Sequence, residues 1–236
     1  MNSSTFLVAE EREITFSKQR PSAIIFDMDG TLVETTEADF KAWQRVFRDH
    51  GRELSFEDYF PLLGRKSQDV VQHVLNVKGE EAQENMRRKM YYFEAYIEQN
   101  GLQLLPGANH LLNELKSAGI PLGLATSSRQ PKMRMVLEKT GLFPFFNTIV
   151  TGEMVEQGKP SPDMFMLTAE RLGIHPSECV VVEDAVHGIT AARTAGMKSV
   201  AIVSTHEASQ LKEAHLVINS YSELSLEILK GLFDSE

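Results

Sequence analysis

Two aspartates, Asp27 and Asp29, stand one residue apart, directly after the apolar run Ile24, Ile25, Phe26 and directly before Gly30 and Thr31. Positions two apart on a strand face the same way, so the end of a buried strand would present both carboxylates together. Neighbouring carboxylates with little water around them repel each other and lose hydration. A divalent cation or a chemical task offsets that cost. A second acid pair, Glu183 and Asp184, ends the apolar run "CVVV"; Thr126, Ser127 and Ser128 end "GLA"; Lys159 stands in "EQGKPSP" just ahead of a helix start. Oxygen donors of this kind suit Mg²⁺, which takes one or two carboxylates together with phosphate and water. Asp27 and Asp184, with the main-chain carbonyl of Asp29, would hold such an ion and leave positions for substrate. A carboxylate in the place of Asp27 can attack phosphorus and form an aspartyl-phosphate. Thr126 and Lys159 would hold the transferring oxygens, assisted by the amides of the turn that contains Ser127. Asp29 would protonate the leaving oxygen and then deprotonate the incoming one.

Residues so far apart in the chain need a scaffold that gathers strand ends. From Pro106 onward helical and strand patterns alternate. "LLNELKSAG", "KMRMVLEKTG", "SPDMFMLTAERLG" and "AVHGITAARTAG" read as helices, the third with Ser161 as its cap and Pro162 at its first position. "IPLGLAT", "NTIVTG", "CVVVED" and "KSVAIV" read as strands between them, with "LVINS" and "SELSLEILKGL" as a final pair. This rhythm predicts an α/β fold, a doubly wound, Rossmann-like parallel sheet with right-handed crossovers. Such sheets bind ligands beyond the carboxyl ends of their strands, where the polar residues collect here. Between the first strand and this regular series lies far more chain than a crossover needs. Phe40, Trp43 and Phe47 recur at helical spacing, as do Met86, Met90, Phe93 and Ile97. Gly51 would close the first of these helices, Ser55 would cap the next, and 67–75 reads as a short amphipathic helix. The expected organisation is an N-terminal tail over 1–20, a catalytic core from 21–34 and 104–236, and an all-helical cap over 35–103 sitting above the two aspartates.

The 236 residues are 42% hydrophobic and 24% charged with a formal net charge of −9. That acidic balance argues against nucleic acid and anionic membranes, since no basic excess is available for phosphates in number. The single cysteine, Cys179, allows no internal disulfide and suits a reducing compartment. No apolar stretch is long enough to span a bilayer, and 1–20 carry charges throughout with no apolar signal core. The expectation is a cytoplasmic protein, monomeric or a weak dimer, whose partner is a small phosphorylated substrate.

"DMDGTL", the strand end at Thr126, Lys159 in "GKPSPDMF" and "VVVEDAVHGI" occur in that order, and with them the chain resembles the haloacid dehalogenase-like superfamily from about Ala23 to Leu232. The insertion after the first motif resembles the helical cap of its β-phosphoglucomutase-like branch. The resemblance implies Asp27 as nucleophile and Asp29 as general acid and base. It places Thr126 and Lys159 on phosphate, and Asp184 on Mg²⁺ with Glu183 as a ligand or a close partner. An aspartate two positions beyond the nucleophile points to hydrolases or mutases rather than dehalogenases or ATPases. The leading expectation is a phosphatase acting on a small sugar phosphate. The alternatives are a β-phosphoglucomutase, interconverting β-glucose 1-phosphate and glucose 6-phosphate, and an inorganic pyrophosphatase. Trp43, Arg65, Lys66 and Arg129 are candidates for gripping the rest of the substrate, the three cations by holding a second phosphate. β-Phosphoglucomutases carry His directly before "F-x-A-W", where this chain has Asp39, and that departure favours hydrolysis. His187, three residues past Asp184, is a further candidate neighbour of the site. A signalling receiver would use similar residues in a different order, its acceptor in mid-chain and its lysine last.

Overall fold

A computed structural model describes residues 21–234, so the expected tail, 1–20, lies outside the described residues. The chain enters through β1 (Ala23–Phe26) and β2 (Val33–Glu34). It then builds helices α1 (Thr36–Asp49), α2 (Phe56–Tyr59), α3 (Ser67–Val70) and α4 (Gly79–Asn100), with a π-helical turn carrying α3 on through Leu75. It returns through β3 (Gln103–Leu104), which pairs antiparallel with β2 in the register Val33↔Leu104 and Glu34↔Gln103. The regular alternation follows: α5 (Ala108–Ser117), β4 (Leu122–Thr126), α6 (Gln130–Thr140), β5 (Thr148–Thr151), α7 (Asp163–Leu172), β6 (Cys179–Glu183) and α8 (Val186–Thr194). It closes with β7 (Lys198–Ile202), β8 (Leu216–Ile218) and α9 (Leu226–Gly231).

Among the described residues the main sheet has six strands in the order β5-β4-β1-β6-β7-β8, and every pairing in it is parallel. The α/β fold with a helical insertion, read from the alternation of patterns, is the fold observed. β1 lies centrally, with Phe26 in register with Leu124 of β4 on one side and Val182 of β6 on the other. The chain leaves β1 for β4 and β5 and then crosses back to β6, so the ends of β1, β4 and β6 flank a topological switch point. β1 is buried on both faces and therefore reads as a continuous apolar run. Ile24 and Phe26 pack with Leu111, Leu112, Leu115 and Val136 from α5 and α6. Ala23 and Ile25 pack with Met164, Phe165, Ala191 and Ala192 from α7 and α8. Gly123 in β4 lets α7 come close, since a Cβ there would lie 2.5 Å from Thr168 Cγ2.

The inserted helices hold a core of their own, formed by Trp43, Val46, Phe47, Leu54, Tyr59, Val70, Val71 and Met86. Ser55 caps α2 by accepting from the Asp58 amide, and Gly51 takes the left-handed conformation just past α1, as the sequence predicts. One local expectation is corrected. α7 begins at Asp163 with Pro162 as its cap, and the Ser161 hydroxyl donates to Asp163 Oδ1 at 2.5 Å instead of accepting from the helix's own amides. Proline fits because it has no N–H to leave unpaired at that end. Among the described residues no helix is long and apolar enough to cross a membrane.

Candidate active site

The strand ends deliver their polar residues to one cleft. It encloses about 660 Å³ including its open mouth, and Asp27, Asp29, Thr126, Ser127, Ser128, Glu183 and Asp184 are among its lining residues. Asp27 follows β1, and its amide is held by the Val182 carbonyl at 3.0 Å. Lys159 arrives from the loop before α7 with its side chain buried, donating to Asp27 Oδ1 at 2.5 Å, Glu183 Oε1 at 2.6 Å and the Ala125 carbonyl at 3.2 Å. Burial pushes Asp27 up to about 7, opposed by Lys159 and reinforced by the charges of Glu183 and Asp29. For Lys159 burial works downward, but Asp27 and Glu183 outweigh it and hold the lysine above its ordinary range.

Asp184 follows β6 in the same cleft. Thr31 donates to its Oδ1 at 2.7 Å and Thr205 donates to its Oδ2. Burial, then the charges of Glu183 and Asp27, raise it well above the carboxylate range against those two hydroxyl bonds. Gly30 makes the approach possible: its φ is +76°, and a Cβ there would lie 2.5 Å from Asp184 Oδ2. Asp27 and Asp184 are thus hard oxygen donors buried in one cleft with Glu183, and Lys159 is shared between Asp27 and Glu183, so negative charge is in excess there, which is the donor chemistry that a divalent cation satisfies.

The four acids Asp27, Asp29, Glu183 and Asp184 do not form a four-carboxylate cage. Among the described residues no three acidic, His or Cys side chains come together to hold one ion. Glu183 is turned inward: its Oε2 accepts from the amides of Asp184 and Ala185 at 2.8 and 2.7 Å, and its Oε1 is on Lys159. The Asp29 side chain is also committed elsewhere. Thr35 donates to its Oδ1 at 2.5 Å, Ser128 to its Oδ2 at 2.6 Å, and Lys132 Nζ lies 2.6 Å from Oδ1. Burial works against its charge, but Lys132 and the two hydroxyls hold Asp29 below the usual carboxylate range. Of the hydroxyls at the end of β4, Thr126 accepts from the Ser128 amide at 3.1 Å. The Ser127 hydroxyl is buried with no protein partner among the described residues. Buried polar atoms are almost always paired, so this hydroxyl is one of the few in the described residues with its bonding capacity unused.

The insertion roofs the cleft with Asp39, Trp43, Tyr59, Leu62, Leu63, Arg65 and Lys89. Trp43 and Arg65 are thus among the lining residues. Lys66 and Arg129 do not line it. Lys66 crosses instead to the core loop, donating to the carbonyls of Val155 and Glu156 at 2.8 and 3.0 Å. The Arg129 guanidinium is 2.7 Å from Glu153 Oε1. Both cations satisfy protein acceptors, which is why a place near the site in sequence gave no place in it. His187 is half-buried outside the cleft lining, and burial, then the charge of Arg65, push it below the ordinary histidine range.

The side chains that the sequence reading missed are Lys89, Lys132 and the role of Asp39. Lys132 of α6 and Lys89 of α4 are both buried, and both are ion-paired to Asp39 of α1, on Oδ2 and Oδ1 respectively. Burial and Lys132 lower Lys89 against the pull of Asp39, while Asp29 and Asp39 overcome burial to raise Lys132. Phe93 lies beneath them, its ring centroid 4.7 Å from Lys132 Nζ and 5.2 Å from Lys89 Nζ. An isolated lysine on a helix reads as solvated, and nothing local in the sequence marks these two.

Residues 24–202 match the family described as haloacid dehalogenase-like hydrolase. Hexitol phosphatase A of Escherichia coli is 35% identical over 208 residues, covering 88% of this chain and 94% of that protein. Beta-phosphoglucomutase of Bacillus subtilis is 33% identical over 216 residues, covering 88% and 93%. The crystal structure of beta-phosphoglucomutase from Clostridium difficile superposes with a TM-score of 0.82 at 27% identity, covering 90% of this chain and 97% of that one.

Proposed function

The chain belongs to the haloacid dehalogenase-like hydrolases and is an enzyme of their phosphatase and phosphoglucomutase type; from that premise we propose that it is a phosphatase of small sugar-phosphate monoesters. Asp27 attacks phosphorus, a bond forms from its carboxylate oxygen, and the bond from phosphorus to the sugar oxygen breaks. Asp29 gives a proton to that sugar oxygen. Water then attacks the aspartyl-phosphate, gives its proton to Asp29, and Asp27 is released with inorganic phosphate. The ionised form in which Asp29 rests is the form ready to take a proton, and a monoester entering as its monoanion brings one, its second ionisation lying near pH ~6. Ser127, Thr126 and Lys159 hold the oxygens of the transferring group.

Asp27, Asp184 and the main-chain carbonyl of Asp29 would hold Mg²⁺, and Glu183 would join them only by exchanging its bond to Lys159. The bound cation supplies the positive charge that keeps the buried carboxylates ionised and draws charge from the phosphoryl oxygens.

One observation favours hydrolysis over mutation. The two lysines buried where roof and core meet over the cleft, Lys89 of α4 and Lys132 of α6, are already paired to Asp39 and Asp29. A second phosphate placed there would meet the negative charge of Asp39, whereas uncharged sugar hydroxyls would find acceptors and donors. The sugar-alcohol and sugar-phosphate phosphatases among the relatives support the same substrate class.

Phosphorus NMR with Mg²⁺, a panel of sugar and hexitol monophosphates, and β-glucose 1-phosphate with a trace of glucose 1,6-bisphosphate tests this reading. Growth of inorganic phosphate is the expected result, and Asp27→Asn should lower turnover by at least roughly 10⁴-fold while the circular dichroism spectrum stays unchanged. Growth of glucose 6-phosphate without inorganic phosphate would establish a mutase instead.

A further inference from the structure

Thr205 stands in the loop after β7, outside the stretches of sequence that mark the site, yet it holds one of the two carboxylates of the cation site. Its hydroxyl donates to Asp184 Oδ2 and lies 2.9 Å from His206 Nδ1. A hydroxyl has one proton to give. With Asp184 ionised, as a cation ligand must be, that proton goes to Oδ2. The 2.9 Å contact is then a bond that His206 Nδ1–H donates to Thr205 Oγ1. His206 is itself buried, with its ring centroid 4.7 Å from that of Phe60. The methyl group of Thr205 packs over Gly30, where a Cβ would lie 2.7 Å from Thr205 Cγ2. Methyl and oxygen are thus both held, and the hydroxyl has little freedom to turn from Asp184. The preceding residue ties the same loop to the turn after β1, since Ser204 Oγ donates to the Gly30 carbonyl, one residue beyond Asp29.

We propose that Thr205 is a positioning residue for Asp184: by donating to Oδ2, with His206 donating to it in turn, it holds the carboxylate in the orientation that receives Mg²⁺ and so sets the affinity of the site. This inference rests on the reading of Asp27, Asp184 and the Asp29 carbonyl as the cation site. Thr205 contacts neither the ion nor the phosphoryl group; it acts through Asp184. Thr31 holds Oδ1 at 2.7 Å in the same manner, so a hydroxyl from each of two loops fixes each oxygen of the carboxylate. A ligand oriented in advance loses less freedom when the ion binds, and removing such a partner typically costs about 10- to 100-fold in metal affinity.

Isothermal titration calorimetry of the EDTA-stripped protein with Mg²⁺, in the absence of substrate, tests the proposal. Thr205→Val keeps the shape and removes the donor, and should raise the Kd for Mg²⁺ by about 10- to 100-fold. Thr205→Ser keeps a hydroxyl and should recover most of that loss. In turnover, the Mg²⁺ concentration that gives half-maximal rate should rise with the Kd, while kcat at saturating Mg²⁺ stays near that of the parent. A merely structural role would lower the Tm in EDTA and leave the Kd where it was. If Thr205→Val does not fold, Thr205→Ala, which adds no methyl group beside Asp184, is titrated in its place with the same expectation.

An unchanged Kd in the folded variant would overturn the proposal while leaving the phosphatase reading intact. So would an equal loss in Thr205→Ser, since the hydroxyl would then not be the group that matters. If the parent protein bound no Mg²⁺ at all, the cation site would fail, and the proposal with it.

Discussion

A carboxylate's behaviour here is set by which cation reaches it. Asp27 and Asp29 are two residues apart and share one cleft, yet burial drives the first up and Lys132 holds the second down. Chemical asymmetry between neighbouring acids is what a two-step phosphoryl transfer requires. Gly30 makes this arrangement geometrically possible. Its φ of +76° is costly for any L side chain, and a Cβ would press on Asp184 Oδ2 and on Thr205 Cγ2, 2.7 Å away. Gly30→Ala should therefore cost about 1–2 kcal/mol from the backbone alone. Because the clash falls on Asp184, it should also abolish most activity even where the variant remains folded, and urea unfolding together with phosphate release checks both halves. Asp27, Asp29, Lys159 and Asp184 could be found from sequence because each follows or faces the end of an apolar run. Lys132 and Asp39 could not, for they are 93 residues apart and each looks like a solvated helix residue. Lys66 and Arg129 show the converse: basic residues close to a motif whose charges are spent on main-chain carbonyls and on Glu153.

Elements here are placed by small residues where they must come close. α7 follows the Lys159 loop, and it reaches β4 only because Gly123 leaves room for Thr168. Gly123→Ala forces a methyl group against Thr168 Cγ2 inside a well-packed layer. Overpacking of this kind costs about 1–3 kcal/mol, so the urea midpoint should fall at an unchanged slope. Phosphate release should fall with it, since displacing α7 displaces the loop that presents Lys159; a drop in midpoint at full activity would show that the loop is held independently. The strand and helix sequence of the core was readable because buried parallel strands are uniformly apolar while the helices between them are amphipathic. Ser161 and Pro162 are both good helix starters, and only the local hydrogen bonds put the cap of α7 at Pro162.

At the scale of the whole molecule, a helical roof with its own core rests on a parallel sheet, and several contacts fasten one to the other. Lys66 donates to carbonyls of the 155–156 loop, Phe60 lies against His206 with ring centroids 4.7 Å apart, and Lys132 reaches Asp39. The donor pair Asp27 and Asp184 exists only in this assembled state, because their strands are joined by the sheet and not by the chain. A cation bound there stabilises the native fold by mass action. At about a hundred times its dissociation constant, Mg²⁺ should add about 2.7 kcal/mol, which for a chain of this size raises Tm by roughly 5–10 °C. Asp184→Asn should remove most of that rise, and differential scanning calorimetry with and without EDTA measures it. An equal Mg²⁺ effect in the variant would place the ion elsewhere.

The sequence by itself determined the α/β architecture, the helical insertion and the acids, hydroxyls and lysine at the strand ends. Periodicity and strand termini are properties of consecutive residues, and a parallel sheet necessarily brings its carboxyl ends to one edge. The tertiary structure alone decided which cations face the cleft and which are spent on the protein, that Glu183 turns inward to Lys159, and that Asp29 is joined through Lys132 to the roof. Those outcomes depend on which buried charge finds which partner across a hundred residues of intervening chain. Burial makes every such pairing obligatory, but no local pattern announces it.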